Sequence, residues 1–239
     1  MVKLNKSPNR MEKGKRKGNQ FDYSEIYRQL RTNLEFSSFE KKLQVVNLTS
    51  TNPGEGKSSV ASNLAMISVA KYPTVLLMDC DLRKPVQHKI FGVSNKVGLS
   101  NLMHNYEDFD VNEDKYFQKF KDSSSNGKLY LLTSGSRVPN PQELLASEKY
   151  KDLLTKLRTR FDFIVIDCPP ISAVADAIPV GHVSDGTIFV VSGKETNKNA
   201  AKTALTQLQR NGLNILGSVL TKVEEGSTKY YNYYYSHDE

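Results

Sequence analysis

The segment LQVVNLTSTNPGEGKSS, residues 43–59, decides the fold class of this chain. Its first eight residues are rich in β-branched and apolar side chains, which is typical of a strand. A turn rich in glycine and proline follows, and an apolar helical pattern, SSVASNLAMISVA, begins directly after it. A strand, a glycine-rich loop and a helix in direct succession are the context of a phosphate-binding loop.

The residue types in this loop suit a nucleotide. Two glycines allow successive backbone N–H groups to turn toward one anion, and the start of the helix adds partial positive charge. Lys57 is predicted to reach the β- and γ-phosphates of ATP, and Ser58 to be a ligand of Mg²⁺. One position departs from GxxxxGK[ST], because Thr51 stands where the first glycine is expected. The predicted nucleotide-binding residues are Pro53, Gly54, Glu55, Gly56, Lys57, Ser58 and Ser59.

The rest of the chain alternates strands and helices. Further strands are predicted at 74–81, 128–135, 161–170, 186–193 and 213–223, and helices at 148–160 and 197–211. Several strand segments are apolar without alternation, as parallel strands buried on both faces tend to be. The pattern predicts an α/β fold in which helices flank a doubly wound, mainly parallel sheet.

An amphipathic helix is predicted at 21–38, ahead of the first long strand. Its residues are expected to divide between two faces at helical spacing. One face carries Tyr23, Ile26, Tyr27, Leu30 and Leu34, and the other carries Glu25, Arg28 and Arg31.

Three carboxylates close two of the apolar strands. Asp79 and Asp81 end LLMDCD, and Asp167 ends IVID. Because the carboxyl ends of parallel strands meet at one edge of a sheet, all three are expected near the loop. Asp167 stands in the Walker B position, where a carboxylate orients Mg²⁺. Asp79 and Asp81 are separated by one residue and are not expected to face the same way, so one is expected at the metal and the other nearer the group that accepts the phosphoryl group. Asp81 could also cap the following turn.

Most of the positive charge lies at the N-terminus. Of the net +7 carried by 239 residues, residues 1–20 supply +6, from seven Lys and Arg against one Glu, which leaves +1 for the remainder. We expect a flexible basic tail at 1–20, interpreted as a solubilising leader or as a segment attracted to an anionic membrane surface. A nearly neutral body disfavours nucleic acid as a partner.

No apolar run is long enough to cross a bilayer, and the N-terminus lacks the apolar stretch of a secretory signal. Two cysteines, Cys80 and Cys168, are too few for a disulfide framework, which indicates the cytoplasm. Both are interpreted as small strand-end residues with little exposure.

Five of the twelve tyrosines lie close together at the C-terminus. Joined to an ATP site, this tyrosine cluster is better interpreted as a set of phosphate acceptors than as a binding surface for sugar or a partner. The chain is therefore divided into the basic tail, a catalytic domain at 21–225 and a flexible tyrosine-rich tail at 226–239. The tyrosine cluster consists of Tyr230, Tyr231, Tyr233, Tyr234 and Tyr235.

Six motifs in order along the chain resemble the bacterial tyrosine kinases (BY-kinases) that regulate capsule and exopolysaccharide synthesis, and most of all their separate cytoplasmic subunits in Gram-positive bacteria. The resemblance runs from about Tyr23 to the C-terminus. The motifs are Glu25-x-x-Arg28-x-x-Arg31, Pro53-Gly-Glu-Gly-Lys57-Ser58, Leu77-Met-Asp79-Cys-Asp81-Leu-Arg83-Lys-Pro85, Asn140-Pro-Gln-Glu-Leu-Leu145, Asp167-Cys-Pro-Pro170 and the tyrosine cluster.

The resemblance implies a P-loop fold with a deviant Walker A motif, shared with MinD and ParA, and transfer of the γ-phosphoryl of ATP to the tyrosine cluster. Lys57 and Ser58 take the loop roles given above, Asp79 matches the carboxylate that accepts the tyrosine proton, and Asp81 and Asp167 match its metal-organising partners. The implied catalytic residues are Lys57, Asp79 and Asp81, and the implied magnesium set is Ser58, Asp79, Asp81 and Asp167.

The resemblance also implies partners. Glu25, Arg28 and Arg31 match a motif that joins subunits into a ring, of which an octamer is one form, and each tail enters a neighbour's site. A transmembrane adaptor of the polysaccharide co-polymerase type would complete the nucleotide site and recruit the kinase to the inner face of the membrane. A cognate tyrosine phosphatase is the expected counterpart.

Two other functions compete with a kinase. A MinD/ParA-like switch ATPase shares the fold, but its early loop lysine (KGGxGK) is absent here, where Asn52-Pro53-Gly54-Glu55 stands instead. The other is a non-catalytic ATP-binding subunit of a polysaccharide export complex, whose tyrosines another kinase would modify.

Overall fold

The computed structural model describes residues 2–3, 14–15, 20–21, 23–37, 42–121 and 127–223. The tyrosine cluster and most of the predicted basic tail lie outside these residues, so the predicted boundaries at 20 and 225 stay predictions. Among the helices of the described segments, none has the length and apolar character needed to cross a membrane.

A mainly parallel sheet forms the centre of the molecule. Its strand order is β1-β6-β7-β5-β8-β4-β9-β10, and every neighbouring pair is parallel except β6 and β7. A separate antiparallel pair joins β2 to β3. The strands are β1 (Val2–Lys3), β2 (Gly14–Lys15), β3 (Gln20–Phe21), β4 (Val45–Ser50), β5 (Thr74–Asp79), β6 (Gln118–Lys121), β7 (Lys128–Leu132), β8 (Phe163–Asp167), β9 (Gly186–Ser192) and β10 (Ile215–Thr221).

The predicted strands are confirmed as β4, β5, β7, β8, β9 and β10, each somewhat shorter than its apolar run. Four predicted helices are confirmed as α1, α2, α6 and α8, whereas the short helices α3, α4, α5 and α7 and the antiparallel strand β6 were not predicted. The helices are α1 (Tyr23–Phe36), α2 (Lys57–Ser68), α3 (Gln87–Ile90), α4 (Leu99–His104), α5 (Pro141–Leu145), α6 (Glu148–Arg160), α7 (Ala177–Val183) and α8 (Lys198–Arg210), with a 3₁₀ turn at Tyr106–Asp108.

The central strands β4, β5, β7, β8 and β9 are buried on both faces, which explains their unbroken apolar runs. Successive side chains of a strand point to opposite faces. In β5, Leu76 and Met78 join a core that α4 and α6 cover, while Val75 and Leu77 join a second core that α1 and α2 cover. The doubly wound α/β prediction is therefore confirmed.

The predicted division of α1 into two faces is wrong at two positions. Arg31, expected on the polar face, is half-buried and donates from Nη1 to the backbone oxygen of Ile67 in α2, 3.2 Å away. Ile26, expected on the apolar face, is 45% exposed. The packing direction of α1 on α2 sets these positions, and the spacing within α1 alone does not reveal it. The apolar contacts with the second core come from Tyr27, Leu30 and Leu34.

Arg160, the last residue of α6, organises the segment between the 3₁₀ turn and β6. Its Nη1 donates to the backbone oxygens of Val111, at 2.5 Å, and Glu113, at 2.9 Å, and Nη2 binds the Asp114 carboxylate. Its guanidinium also lies about 5 Å from three aromatic rings, which belong to Phe117, Tyr130 and Phe161.

Candidate functional site

The glycine-rich loop connects β4 to α2 at the carboxyl edge of the sheet. Gly54 and Gly56 adopt positive φ angles of 83° and 87°, a left-handed backbone that glycine tolerates best. This conformation explains why glycine occupies both positions. The loop therefore has the backbone shape expected of a phosphate-binding turn, directly before the first turn of α2.

Lys57, the first residue of α2, forms a buried ion pair with Asp167. Its Nζ lies 2.5 Å from Asp167 Oδ1 and 3.1 Å from Ser58 Oγ, and Asp167 is fully buried. Burial opposes the ammonium charge, but the charge and hydrogen bond of Asp167 outweigh it, so the pKa of Lys57 lies above its usual value. Lys57 therefore stays protonated at neutral pH and points into the carboxylate edge.

Asp79 lies directly beside Asp167, because the two residues are register partners in β5 and β8. Its Oδ2 accepts hydrogen bonds from the backbone N–H groups of Val86, at 3.1 Å, and Gln87, at 3.0 Å, while Oδ1 accepts one from Asp81, at 3.2 Å. Complete burial and the neighbouring Asp167 raise the pKa of Asp79 to about 8. In this structure Asp79 thus fixes the chain that follows β5.

Asp81 serves the next turn. Its Oδ1 accepts a hydrogen bond from the backbone N–H of Lys84, at 2.9 Å, which is the capping role considered from the sequence. Its charge also helps to raise the pKa of Lys57. The structure thus brings the three carboxylates to one edge of the sheet, with Asp79 and Asp81 facing different partners.

Gln87 is part of this site and was not predicted. It is fully buried, and its Nε2 donates to Asp167 Oδ2, at 2.8 Å, and to the backbone oxygen of Ser58, at 3.0 Å. A lone glutamine eight residues after Asp79 matches no motif that we could use. Its position depends on the short helix α3, which the sequence pattern did not reveal.

Glu55 gives the loop its shape through its side chain. The buried carboxylate accepts hydrogen bonds from the backbone N–H of Thr51, at 2.9 Å, and from the hydroxyl of Thr196, at 2.5 Å. Its backbone oxygen accepts a hydrogen bond from the hydroxyl of Thr221 in β10, at 2.6 Å. These bonds attach the loop to β10 and to the segment that follows β9.

Arg83 ties the chain after Asp81 to a second segment. Its guanidinium binds the buried carboxylate of Asp176 through two hydrogen bonds, of 2.8 and 3.1 Å. Asp176 stands at the start of α7, so this contact fastens the loop after β5 to the loop after β8. Both loops border the carboxylate edge.

The donor set fits a magnesium ion that arrives with a nucleotide. Among the described residues there is no group of three His, Cys, Asp or Glu side chains placed to hold a metal unaided. Mg²⁺ at nucleotide sites usually takes one or two carboxylates, water and phosphate oxygens. Ser58, Asp79, Asp81 and Asp167 supply that chemistry beside the loop.

Comparison with known proteins identifies the family. The tyrosine-protein kinase YwqD of Bacillus subtilis is 37% identical over 215 residues, which cover 90% of this chain and 87% of YwqD. The chain belongs to the bacterial tyrosine kinase family. A protein-family model described as an AAA domain matches residues 43–223, which include the loop and all three carboxylates.

Solved structures agree with this assignment. The chimerical protein CapA2B2 superimposes with a TM-score of 0.77 at 32% identity, covering 87% of this chain and 88% of that one. A ParA family ATPase from Chlorobium tepidum reaches a TM-score of 0.59 at 18% identity, covering 78% of this chain and 77% of that one, which shows the shared fold alone. The predicted resemblance and the P-loop fold shared with ParA proteins are both confirmed.

The remaining residues singled out in the sequence lie on α1, directly after β5 and β8, and near the C-terminus. Glu25 and Arg28 form an exposed ion pair of 2.9 Å on α1, whereas Arg31 is packed against α2. Cys80 and Cys168 are fully buried, as expected, and burial raises the pKa of both thiols well above the usual range. The tyrosine cluster lies outside the described residues.

Proposed function

We propose that this chain is an ATP-dependent protein-tyrosine kinase that phosphorylates its own tyrosine cluster and thereby regulates capsular or exopolysaccharide synthesis and export. The observation that carries the proposal is the buried Lys57–Asp167 pair, set between a phosphate-loop backbone and the carboxylates of two strands. Membership of a family whose named relatives are tyrosine-protein kinases supports the same reaction. Five tyrosines at 230–235 supply acceptors within the chain.

Binding of ATP would replace the partner of Lys57. Its Nζ now contacts Asp167 Oδ1 at 2.5 Å, and we propose that it turns to the β- and γ-phosphates when these enter the loop. Backbone N–H groups of the loop and a fixed ammonium group stabilise charge that spreads over the phosphoryl oxygens in the transition state. The raised pKa of Lys57 ensures that this cation is present at neutral pH.

Ser58, Asp79, Asp81 and Asp167 are the residues that would hold Mg²⁺, which neutralises phosphate charge when it is bound. An unperturbed tyrosine has a pKa of about 10, so its proton must be removed with assistance at neutral pH. We propose Asp79 as the group that orients the hydroxyl and, once the charge of bound Mg²⁺ has lowered its pKa and ionised it, accepts the proton late in the reaction. Because Asp79 is held by three backbone N–H groups, this role requires at least one of those bonds to open as the tyrosine enters.

The proposed assembly is a ring oligomer, joined in part by α1. Glu25 and Arg28 are exposed there and available to a neighbouring subunit, with side chains 57% and 46% exposed. We propose a transmembrane adaptor that recruits the kinase to the inner face of the membrane, and a cognate tyrosine phosphatase that reverses the modification. The twelve residues from Thr228 to Glu239 span at most ~43 Å, which allows transfer to the same subunit or to a neighbour.

One experiment separates the three functions that the sequence left in competition. Purified protein is incubated with Mg²⁺, labelled ATP and the cytoplasmic segment of its adaptor, and phosphosites are mapped. Label on residues 230–235 that disappears in Lys57→Met supports the kinase. Release of free phosphate without labelled protein identifies a switch ATPase, and neither signal identifies a non-catalytic subunit.

A further inference from the structure

Gln87 connects the three parts of the site that were recognised separately in the sequence. Its backbone N–H donates to Asp79 Oδ2, at 3.0 Å, and its side-chain Nε2 donates to Asp167 Oδ2, at 2.8 Å. The same Nε2 donates to the backbone oxygen of Ser58, at 3.0 Å. One residue thus contacts both strand-end carboxylates and the residue after the loop lysine.

The orientation of the Gln87 amide follows from its partners. A carboxylate oxygen and a backbone carbonyl oxygen both accept hydrogen bonds, so the group facing them must be the amide NH₂. Both of its hydrogens are therefore committed to Asp167 and Ser58. Oε1 points away from them, is buried, and accepts no hydrogen bond from the described residues.

A buried acceptor without a partner is costly, because it has lost its water and gained nothing in return. Gln87 as a whole is 0% exposed, so bulk solvent does not satisfy Oε1. The polypeptide described here supplies no donor for it. The hydrogen bonds of the NH₂ group to Asp167 and Ser58 must offset this cost.

The contacts of Asp167 show when Gln87 matters most. Lys57 holds Oδ1 of Asp167 and Gln87 holds Oδ2. If Lys57 turns to the phosphates, as proposed above, Asp167 loses its bond to Lys57 and keeps the one to Gln87. Gln87 would then be the residue that holds the Asp167 carboxylate in the direction needed to bind the magnesium nucleotide.

We propose that Gln87 is a positioning residue for the magnesium nucleotide, in addition to the residues assigned by motif. Its amide NH₂ holds Asp167 and Ser58 at a set separation. The inference rests on the proposed function only where it predicts a lower rate of phosphoryl transfer for a Gln87 variant. The consequence for nucleotide affinity stands independently of which acceptor receives the phosphoryl group.

The test compares Gln87→Met with a matched control, Gln44→Met. Gln44 is also a glutamine whose Nε2 donates to two oxygens, those of Arg158 and Phe161, at 2.7 and 2.8 Å. It stands immediately before β4, at the sheet edge remote from the carboxylates. Methionine has a similar length and no hydrogen-bonding amide, so both variants lose the same kind of contact.

The readout is the dissociation constant of a fluorescent ADP derivative, measured on the full chain in excess MgCl₂ and in EDTA. We expect Gln87→Met to reduce the gain in affinity produced by Mg²⁺ by about tenfold or more, the factor that corresponds to one hydrogen bond to an ionised group. Its affinity in EDTA should change less than threefold. Gln44→Met should leave both values as they are in the unchanged protein.

The proposal is overturned if Mg²⁺ raises the nucleotide affinity of Gln87→Met as much as that of the unchanged protein. It is also overturned if Gln87→Met and Gln44→Met lose this gain in affinity equally. If Gln87→Met does not fold, Gln87→Asn, which retracts the amide by one methylene group, is measured in the same way and decides by the same criterion. Failure of the proposed function looks different: the unchanged protein would show a magnesium gain in affinity and yet never label its tyrosines. In a working kinase we also expect kcat to fall more than KM for ATP rises.

Discussion

Replacement of Arg160 by methionine should destabilise the molecule strongly, although the side chain lies far from any motif. The guanidinium is 13% exposed and donates to the backbone oxygens of Val111 and Glu113. Each hydrogen bond from a charged donor contributes roughly 1.5–3 kcal/mol, and stacking on aromatic rings adds about 0.5–2 kcal/mol. Because solvent can reach part of this segment and the contributions are not additive, we expect a net loss of about 3 kcal/mol.

The assay is urea unfolding followed by circular dichroism, combined with hydrogen exchange of the amides in β6 and the preceding segment. The matched control is Asp114→Asn, which removes the ion pairs of Asp114 with Arg160 and Lys119 and leaves the carbonyl and ring contacts of Arg160 in place. The Asp114 carboxylate is half-exposed, so this variant should lose no more than about 1 kcal/mol. Exchange should accelerate around residues 109–121 in Arg160→Met and much less in the control.

A loss below about 1 kcal/mol for Arg160→Met, or one equal to that of Asp114→Asn, would refute this account of the segment. Arg160→Lys refines the result. Lysine keeps the charge but lacks the planar fork that reaches two carbonyl oxygens and lies over three rings, so most of the loss should remain.

Three further predictions concern the tail, the assembly and acid stability. Replacement of all five cluster tyrosines by phenylalanine should abolish autophosphorylation and leave ATP affinity unchanged; a loss of affinity would show that the tail belongs to the nucleotide site. The double variant Glu25→Ala/Arg28→Ala should shift a large oligomer toward monomer in light scattering, with little change in thermal stability; an unchanged mass would remove α1 from the interface. Arg31→Ala should in addition lower the free energy of unfolding by about 1 kcal/mol, because the hydrogen bond to the backbone oxygen of Ile67 is lost. Burial opposes ionisation of Asp185, but hydrogen bonds from Arg158 and from two backbone N–H groups prevail, so its pKa lies below the usual value. The stability that this carboxylate supplies is therefore present above the unfolded pKa of about 3.9 and is lost as the pH falls through its lower folded pKa. Asp185→Asn should accordingly lower the melting temperature at pH 7 and make little difference near pH 2; an equal deficit at both values would contradict the sign.

Much of the fold could be predicted from the sequence because the central strands carry their own signal. A strand buried on both faces needs apolar residues throughout, so runs such as that of β8 stand out without knowledge of their neighbours. Strand β6, with the sequence QKFK, lacks this signal. Its place depends on antiparallel pairing with β7.

The candidate site divides in the same way. The loop and the carboxylates were found because phosphate binding demands particular residues at fixed spacing. Gln87 acts through two partners that lie 29 and 80 residues away in sequence, and no local pattern encodes such a contact. Arg31 and Ile26 were misplaced for a related reason, since the direction from which α2 covers α1 is a tertiary property.

The hydrogen bond between Thr221 and Glu55 has a geometric consequence for the acceptor tyrosines. Thr221 ends the last strand at the phosphate loop, and Tyr230 follows it nine positions later in the chain. The first tyrosine is therefore tethered within ~32 Å of the donor site, whatever path the intervening residues take. A tether of this length produces an effective concentration in the millimolar range. The cluster would then outcompete any freely diffusing substrate present at micromolar levels, so that phosphorylation of other proteins should become prominent only after the tail is saturated.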